Sequence, residues 1–263
     1  GGGISNDALA VYGSINVTLS YFRMRGIGRC PIFASPRNLV VEHGYVESYF
    51  GSSAVHSEVA SLWSFSGTSI GDVTFRYNLV TDLHSTGGIM WDNSENPSAQ
   101  LFVYGNVFYK PPGRVWDEAN GVVGGWSGNN AEELHNARVY NNAFINIDQE
   151  SLSSFPRISS GNVAYNNIFY NSQSPSFSKF QAHDYNVFIN SGSAQSELNG
   201  TTGTTNPFVD IAALNFRLRA ATLPGIAVLA PLNLDPLGVT RGIDGVADRG
   251  AFEFDSGAVT ATP

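Results

Sequence analysis

Short alternations of apolar and polar residues recur along the chain, and several run into the same aromatic, Asn, apolar signature. Val73-Thr74-Phe75-Arg76 leads into Tyr77-Asn78-Leu79-Val80, and the pattern returns at Tyr104-Gly105-Asn106-Val107-Phe108. The clearest copies are Tyr140-Asn141-Asn142-Ala143-Phe144 and Tyr165-Asn166-Asn167-Ile168-Phe169, with a shorter one at Tyr185-Asn186-Val187-Phe188. Leu39 to Val46 fits the frame with Gly44 at the Asn position, and Ile15 to Phe22 fits it more loosely. Alternation with period two buries one side of a strand. Asn tolerates the left-handed backbone of a sharp corner. The distance between successive copies varies while the copy itself is kept. One fixed corner joined by segments of unequal length predicts stacked, strand-built circuits, an all-β parallel β-helix. Equivalent Asn side chains would then lie one strand spacing apart, about 4.8 Å, and bond as a ladder. Phe108, Phe144, Phe169 and Phe188 would stack inside.

This frame divides the chain. Residues 8–25 read as a strand pair turning at Gly13-Ser14, and 26–36 as a Gly- and Pro-punctuated loop. Circuits follow at 37–65, 66–100, 101–136, 137–161, 162–183 and 184–192. Residues 131–135 read as one helical turn, 192–205 as a polar loop, and 206–218 as a final strand pair. The predicted organisation is β-helix circuits over 1–192, with C-terminal strands and a capping tail over 193–263.

A second register suggests chemistry. His56-Ser57-Glu58 to Trp63 aligns without gaps with His84-Ser85-Thr86 to Trp91, and the next circuit offers Trp126. Two His and three Trp are therefore expected as columns. One reading places Trp63, Trp91 and Trp126 in the core; the other makes them plates for sugar rings, which present apolar faces to an indole. His56, His84 and Glu58 are candidate acid/base groups, since His titrates near neutrality and Glu is tuned upward by burial. Asp92 follows Trp91 and is expected on the opposite face. Gly87-Gly88 and Gly124-Gly125 either open space for a ligand or allow close packing. The long segment with Lys110, Arg114, Trp116, Asp117 and Glu118 is a candidate subsite wall. Arg157, Lys179 and His183 are expected where the His column would continue, as cations able to neutralise a uronate carboxylate. There is no paired-Cys or His-x-x-x-His metal spacing. Asp92, Asn93 and Glu95 form the one acidic cluster considered for Ca²⁺, and otherwise no cofactor is expected. Phosphate loop and serine elbow motifs are absent.

Composition narrows the class. The 263 residues include 28 Gly and carry a formal charge of −8, with 14% charged residues. Such a surface lacks the basic stripe of a nucleic-acid binder. No apolar run is long enough for a membrane helix, and a monomer is expected. The single Cys30 is expected as a small buried filler rather than a nucleophile. The chain begins at Gly1 rather than Met and reads as a trimmed, secreted or cell-surface form.

The C-terminal run adds a resemblance. Asn206-Pro207-Phe208-Val209-Asp210, Asp235 to Arg241 and Asp248-Arg249-Gly250-Ala251-Phe252-Glu253 resemble the closing segment of bacterial right-handed parallel β-helix proteins of the pectate-lyase-like superfamily. The resemblance, with the repeats, covers most of residues 37–255. It implies a right-handed helix and makes Asp235, Arg241, Asp248 and Glu253 a structural clasp over the last circuit. It also implies an extracellular protein acting on a polysaccharide or oligosaccharide. A lyase cleaving an acidic, uronate-containing polymer is the leading expectation. A glycoside hydrolase using a pair such as Glu58 and Asp92, or Asp117 and Glu118, and a non-catalytic binding or adhesive protein, are the alternatives.

Overall fold

The computed structural model describes residues 7–47, 58–64, 69–81, 87–113, 121–125, 133–152, 156–192 and 196–255. Every regular element among them is a strand, and the large sheets are parallel. The first sheet takes Leu9–Tyr12, Ile32–Ser35, Glu58–Trp63, Gly87–Asp92 and Val123–Gly125 in that order. The second takes seven strands, from Val17–Ser20 through Leu39–Glu42, Val73–Arg76 and Leu101–Tyr104 to Ala182–Asp184. The third takes eight, from Arg23–Arg25 through Tyr45–Glu47 and Leu79–Thr81 to Thr201–Gly203. The chain visits the three sheets in turn up to Val123–Gly125, where the first sheet ends, and beyond it goes on adding strands to the second and third sheets, a layout compatible with a β-helix.

The corner between the second and third sheets is built as the repeat predicts. The backbone turns at a left-handed residue immediately before each ladder position: His43, Tyr77, Gly105, Asn141, Asn166 and Tyr185 all have φ between 50° and 65°. The ladder Asn is thus the residue after the left-handed one, not the left-handed residue itself. Asn78, Asn106, Asn142 and Asn167 each donate Nδ2 to the Oδ1 of the next rung at 3.0–3.1 Å, ending at Asn186. The same Oδ1 accepts the backbone amide of the rung before it. Gly44 takes the Asn position because the Phe22 ring fills the column: a Cβ there would lie 2.1 Å from it. Inside the corner, Phe108, Phe144, Phe169 and Phe188 stack at centroid separations of 5.3, 5.0 and 5.4 Å, all fully buried.

Several expectations are corrected. Leu9–Tyr12 and Val17–Ser20 do not pair with each other; each starts a different sheet. The segment read as a loop contains the buried strand Ile32–Ser35, because a short apolar run can be buried on both faces despite flanking Gly and Pro. Glu133–His135 is a strand paired with Ile158–Ser160, not a helical turn. The polar loop contains Thr201–Gly203, held by Val187–Ile189.

The tail is a clasp, placed along the stack rather than over its end. Phe208–Asp210 pairs antiparallel with Asn215–Leu218, as expected. Phe208, Phe216, Leu218 and Ala251 cover the apolar outer side of the third sheet, formed by Val107, Ile145, Ile168 and their neighbours. The tail touches the corner at many levels, from the Tyr77 hydroxyl on the Leu234 carbonyl to Asn141 on Asp248, Asn166 on Ile226, and Arg249 on Asn199. Asp235, Arg241, Asp248 and Glu253 are all buried, and the carboxylates accept amides of this segment. Arg241 pairs with Glu253 at 3.6 Å and donates to the Ala251 carbonyl, while Asp248 and Glu253 accept tail amides. Burial pulls the Arg241 pKa down and pushes that of Glu253 up.

Candidate functional site

The first sheet carries the candidate chemistry, but in a register one residue away from the sequence alignment. Trp63 pairs with Asp92, and Trp91 pairs with Leu62 on one side and Gly125 on the other. A slip of one residue exchanges the faces of a strand, so Trp63 and Trp91 do not form a column. Trp91 is fully buried among the core residues and donates its indole N–H to the His135 carbonyl at 3.0 Å. Trp63 lies on the outer face, edge-on to Phe33 at 5.5 Å, and Phe33 meets Tyr12 at 5.7 Å. The aromatic row outside is therefore Tyr12, Phe33 and Trp63. The glycines serve close packing: a Cβ at Gly88 would lie 2.3 Å from the Val122 carbonyl oxygen, and one at Gly125 2.0 Å from that of Glu133.

Arg29, Glu58, Ser61, Leu62, Trp63, Met90 and Asp92 line one pocket of about 90 Å³ on this wall. Three of these are sequence candidates: Glu58, Trp63 and Asp92, the last on the face opposite Trp91 as expected. Arg29 was not a candidate. Its segment was read as a loop, and only the pairing of Ile32 with Ala60 brings it beside Glu58. The Arg29 guanidinium lies over the Phe33 ring at 4.8 Å and meets Asp7 at 3.3 Å. Cys30 is buried and donates its thiol to Glu58 Oε2 at 3.3 Å. Burial, with the Glu58 carboxylate adding to it, pushes the thiol pKa up, so Cys30 is a protonated filler and not a nucleophile.

The remaining candidates scatter. His56, His84, Arg114, Trp116, Asp117, Glu118 and Trp126 lie outside the described residues. Lys110 is buried and paired with Asp148. Arg157 is exposed just ahead of Ile158–Ser160. Lys179 and His183 do not continue a first-sheet column, because they lead into and lie in the Ala182–Asp184 strand of the second sheet. His183 stacks on Phe177 at 4.1 Å and bonds Glu197 at 3.0 Å, and Glu197 closes the Asn ladder by accepting from Asn186. That is a structural post. Asp92, Asn93 and Glu95 do not converge: Asp92 lines the pocket and accepts the Ser94 amide, Asn93 is buried against the Ala99 carbonyl, and Glu95 is exposed. Among the described residues no three His, Cys, Asp or Glu are grouped to hold a metal.

A wider groove of about 650 Å³ runs over the second sheet, between Phe102, Tyr140 and Tyr165 and residues 226–232. Its one charged lining residue, Arg76, is tied to Glu42 and to the Tyr104 hydroxyl. It offers area but no acid/base pair, so the first-sheet pocket remains the candidate for catalysis. No family model matches the chain, and no curated protein is significantly similar to it.

Proposed function

We propose that the chain is a secreted or cell-surface right-handed parallel β-helix, similar to the pectate-lyase-like superfamily, that cleaves an acidic polysaccharide by β-elimination. The sequential visits to three parallel sheets and the clasp-like tail support the fold reading. The observation that carries the activity is the grouping of Arg29, Glu58, Trp63 and Asp92 around one pocket. Trp63 gives a sugar ring an apolar plate. Arg29 has donors in a fixed fork and can meet a uronate carboxylate while keeping Asp7. Neutralising that carboxylate acidifies the C5 proton, and in this reading Glu58 is the base that removes it. His56 and His84, in the segments that enter the Glu58 and Gly87 strands, remain proposed proton-transfer partners. A second reading, glycoside hydrolysis, rests on Glu58 and Asp92 both lining this pocket, and it requires their carboxyl groups to come within about 5–10 Å of each other.

The test is a panel of uronate polymers followed by ultraviolet absorbance and by reducing ends. Elimination gives an unsaturated product, hydrolysis gives reducing ends alone, and a binder gives neither. Glu58→Gln should lower the rate about 10²–10⁴-fold, the usual share of a general acid/base. A wild-type chain that cleaves none of these polymers, or a Glu58→Gln variant at full rate, would overturn the proposal.

A further inference from the structure

The short sheet of Glu133–His135 and Ile158–Ser160 holds a serine, an imidazole and a carboxylate in a hydrogen-bonded line. Its register pairs His135 with Ser160 and Glu133 with Ile158, so all four side chains share one face. Ser160 Oγ lies 2.7 Å from His135 Nδ1, and Glu133 Oε2 lies 3.0 Å from His135 Nε2. His135 is buried and its ring is held at both nitrogens, while Ser160 is exposed. Ile158, 48% exposed, stands beside the serine as an apolar neighbour. None of these residues lines the first-sheet pocket.

We propose that Ser160, His135 and Glu133 form a second, hydrolytic site that removes small acyl groups from ester substrates such as O-acylated sugars. A hydroxyl becomes a nucleophile when a base within hydrogen-bond reach is itself oriented by a third group, and the three distances satisfy that requirement. The Glu133 carboxylate selects the tautomer with its proton on Nε2, which leaves the Nδ1 lone pair facing the Ser160 hydroxyl. Ser160 Oγ bonds to the ester carbonyl carbon as its proton passes to Nδ1. The tetrahedral adduct then breaks its bond to the alcohol oxygen, which takes the proton from Nδ1 and leaves. Water attacks the acyl-serine, giving its proton to Nδ1, and the acid departs as that proton returns to Ser160. The sum is ester plus water to acid plus alcohol, with no other reactant. Ile158 offers the acyl chain an apolar surface. Nothing in this step depends on cleavage at the first sheet, so the two proposals fail separately.

The test uses the full chain with p-nitrophenyl acetate and a fluorophosphonate probe. The wild type should release p-nitrophenol and carry one phosphonyl adduct on Ser160, located by mass spectrometry of peptides. Ser160→Ala should lose the adduct and at least about 10²-fold of the rate, while melting as the wild type does, since the residue is exposed. Glu133→Gln, a change to a positioning residue, should lower kcat with KM unchanged. A wild type with no adduct at Ser160, or a Ser160→Ala variant that hydrolyses the ester as fast as the wild type, would overturn the assignment.

Discussion

The two sides of this molecule are specified by different means. The corner of the second and third sheets repeats the same letters at the same places, and those letters bond to one another. Its register is fixed by a left-handed residue, a buried amide and a stacked Phe in successive circuits. The first sheet has no such device. Its strands are held by backbone pairing and by unlike neighbours: Ala34 on Leu62, Leu62 on Trp91, Trp91 on Gly125. Identity repeated along a column protects the stack, whereas variety along a wall lets each rung present something different outside. The proposed cleavage of a polysaccharide lies on the varied wall, and the tail clasps the repetitive corner.

The largest effects should separate the two Trp residues that the sequence aligned. Trp91→Ala and Phe144→Ala each empty a fully buried site and should cost about 3–5 kcal/mol. Trp63→Ala, on the outer face and only partly buried, should cost less, about 1 kcal/mol, the edge-on contact with Phe33 among its losses, and should instead weaken substrate binding. Thermal unfolding of the three variants checks this. Equal losses for Trp63 and Trp91 would mean that the two do share a face and that the register reported above is wrong.

This contrast also shows why the corner was legible in the sequence and the wall was not. At the corner, Asn142 and Phe144 sit two residues apart behind a left-handed Asn141, so a slip by one would bury the wrong residues and break the bonds of Asn142. The motif therefore states its own register. Along the wall, the His56 to Trp63 and His84 to Trp91 alignment had no such anchor, and matching Trp to Trp was a similarity of letters without a shared bond. Asp92, adjacent to Trp91, was still placed on the right face, because alternation within one strand holds whatever its partner does. Arg29 was missed because Gly26, Gly28 and Pro31 punctuate its segment like a loop. His135 was missed because Glu133 and Ser160 are joined to it by a strand pairing that no local pattern announces.

A smaller effect tests the corner directly. Asn142→Ala would leave the Val103 and Tyr140 carbonyls without its Nδ2 donor, and the Asn106 amides without its Oδ1 acceptor. Buried polar groups left without partners cost about 1–3 kcal/mol each, and partial relaxation should bring the total to about 2–3 kcal/mol. Asn38→Ala removes a comparable amide contact, Asn38 to Asn16 at 2.8 Å, but an exposed one. Its change should stay within about 0.5 kcal/mol. If the two variants melt together, the ladder carries no more than an ordinary surface contact and the corner owes its order to the Phe stack alone.

The smallest expected effect is a dependence on pH at the same side of the molecule. Burial alone would raise the pKa of Asp184, yet its carboxylate accepts the Asn199 side-chain and backbone N–H groups and the Tyr185 amide at 2.7–2.8 Å, and these hold it below its ordinary value. Glu42 at the other end of the second sheet is likewise held down against its burial by Arg76 and Ser20. For both groups the unfolded chain keeps its proton to higher pH than the folded one. Their contribution is therefore complete above the unfolded values, about 4, and is lost as pH falls through the lower folded values. The melting temperature should be level from about pH 6 to 5 and decline below about pH 4. Asp184→Asn keeps the shape but has no carboxylate to protonate, so its curve should start lower and decline less steeply. Because Asp184 is partly open to water, the difference should be modest. A wild type and variant that fall in parallel would place the acid sensitivity elsewhere, and would leave the last strand of the second sheet held by its backbone pairing to Val163–Tyr165.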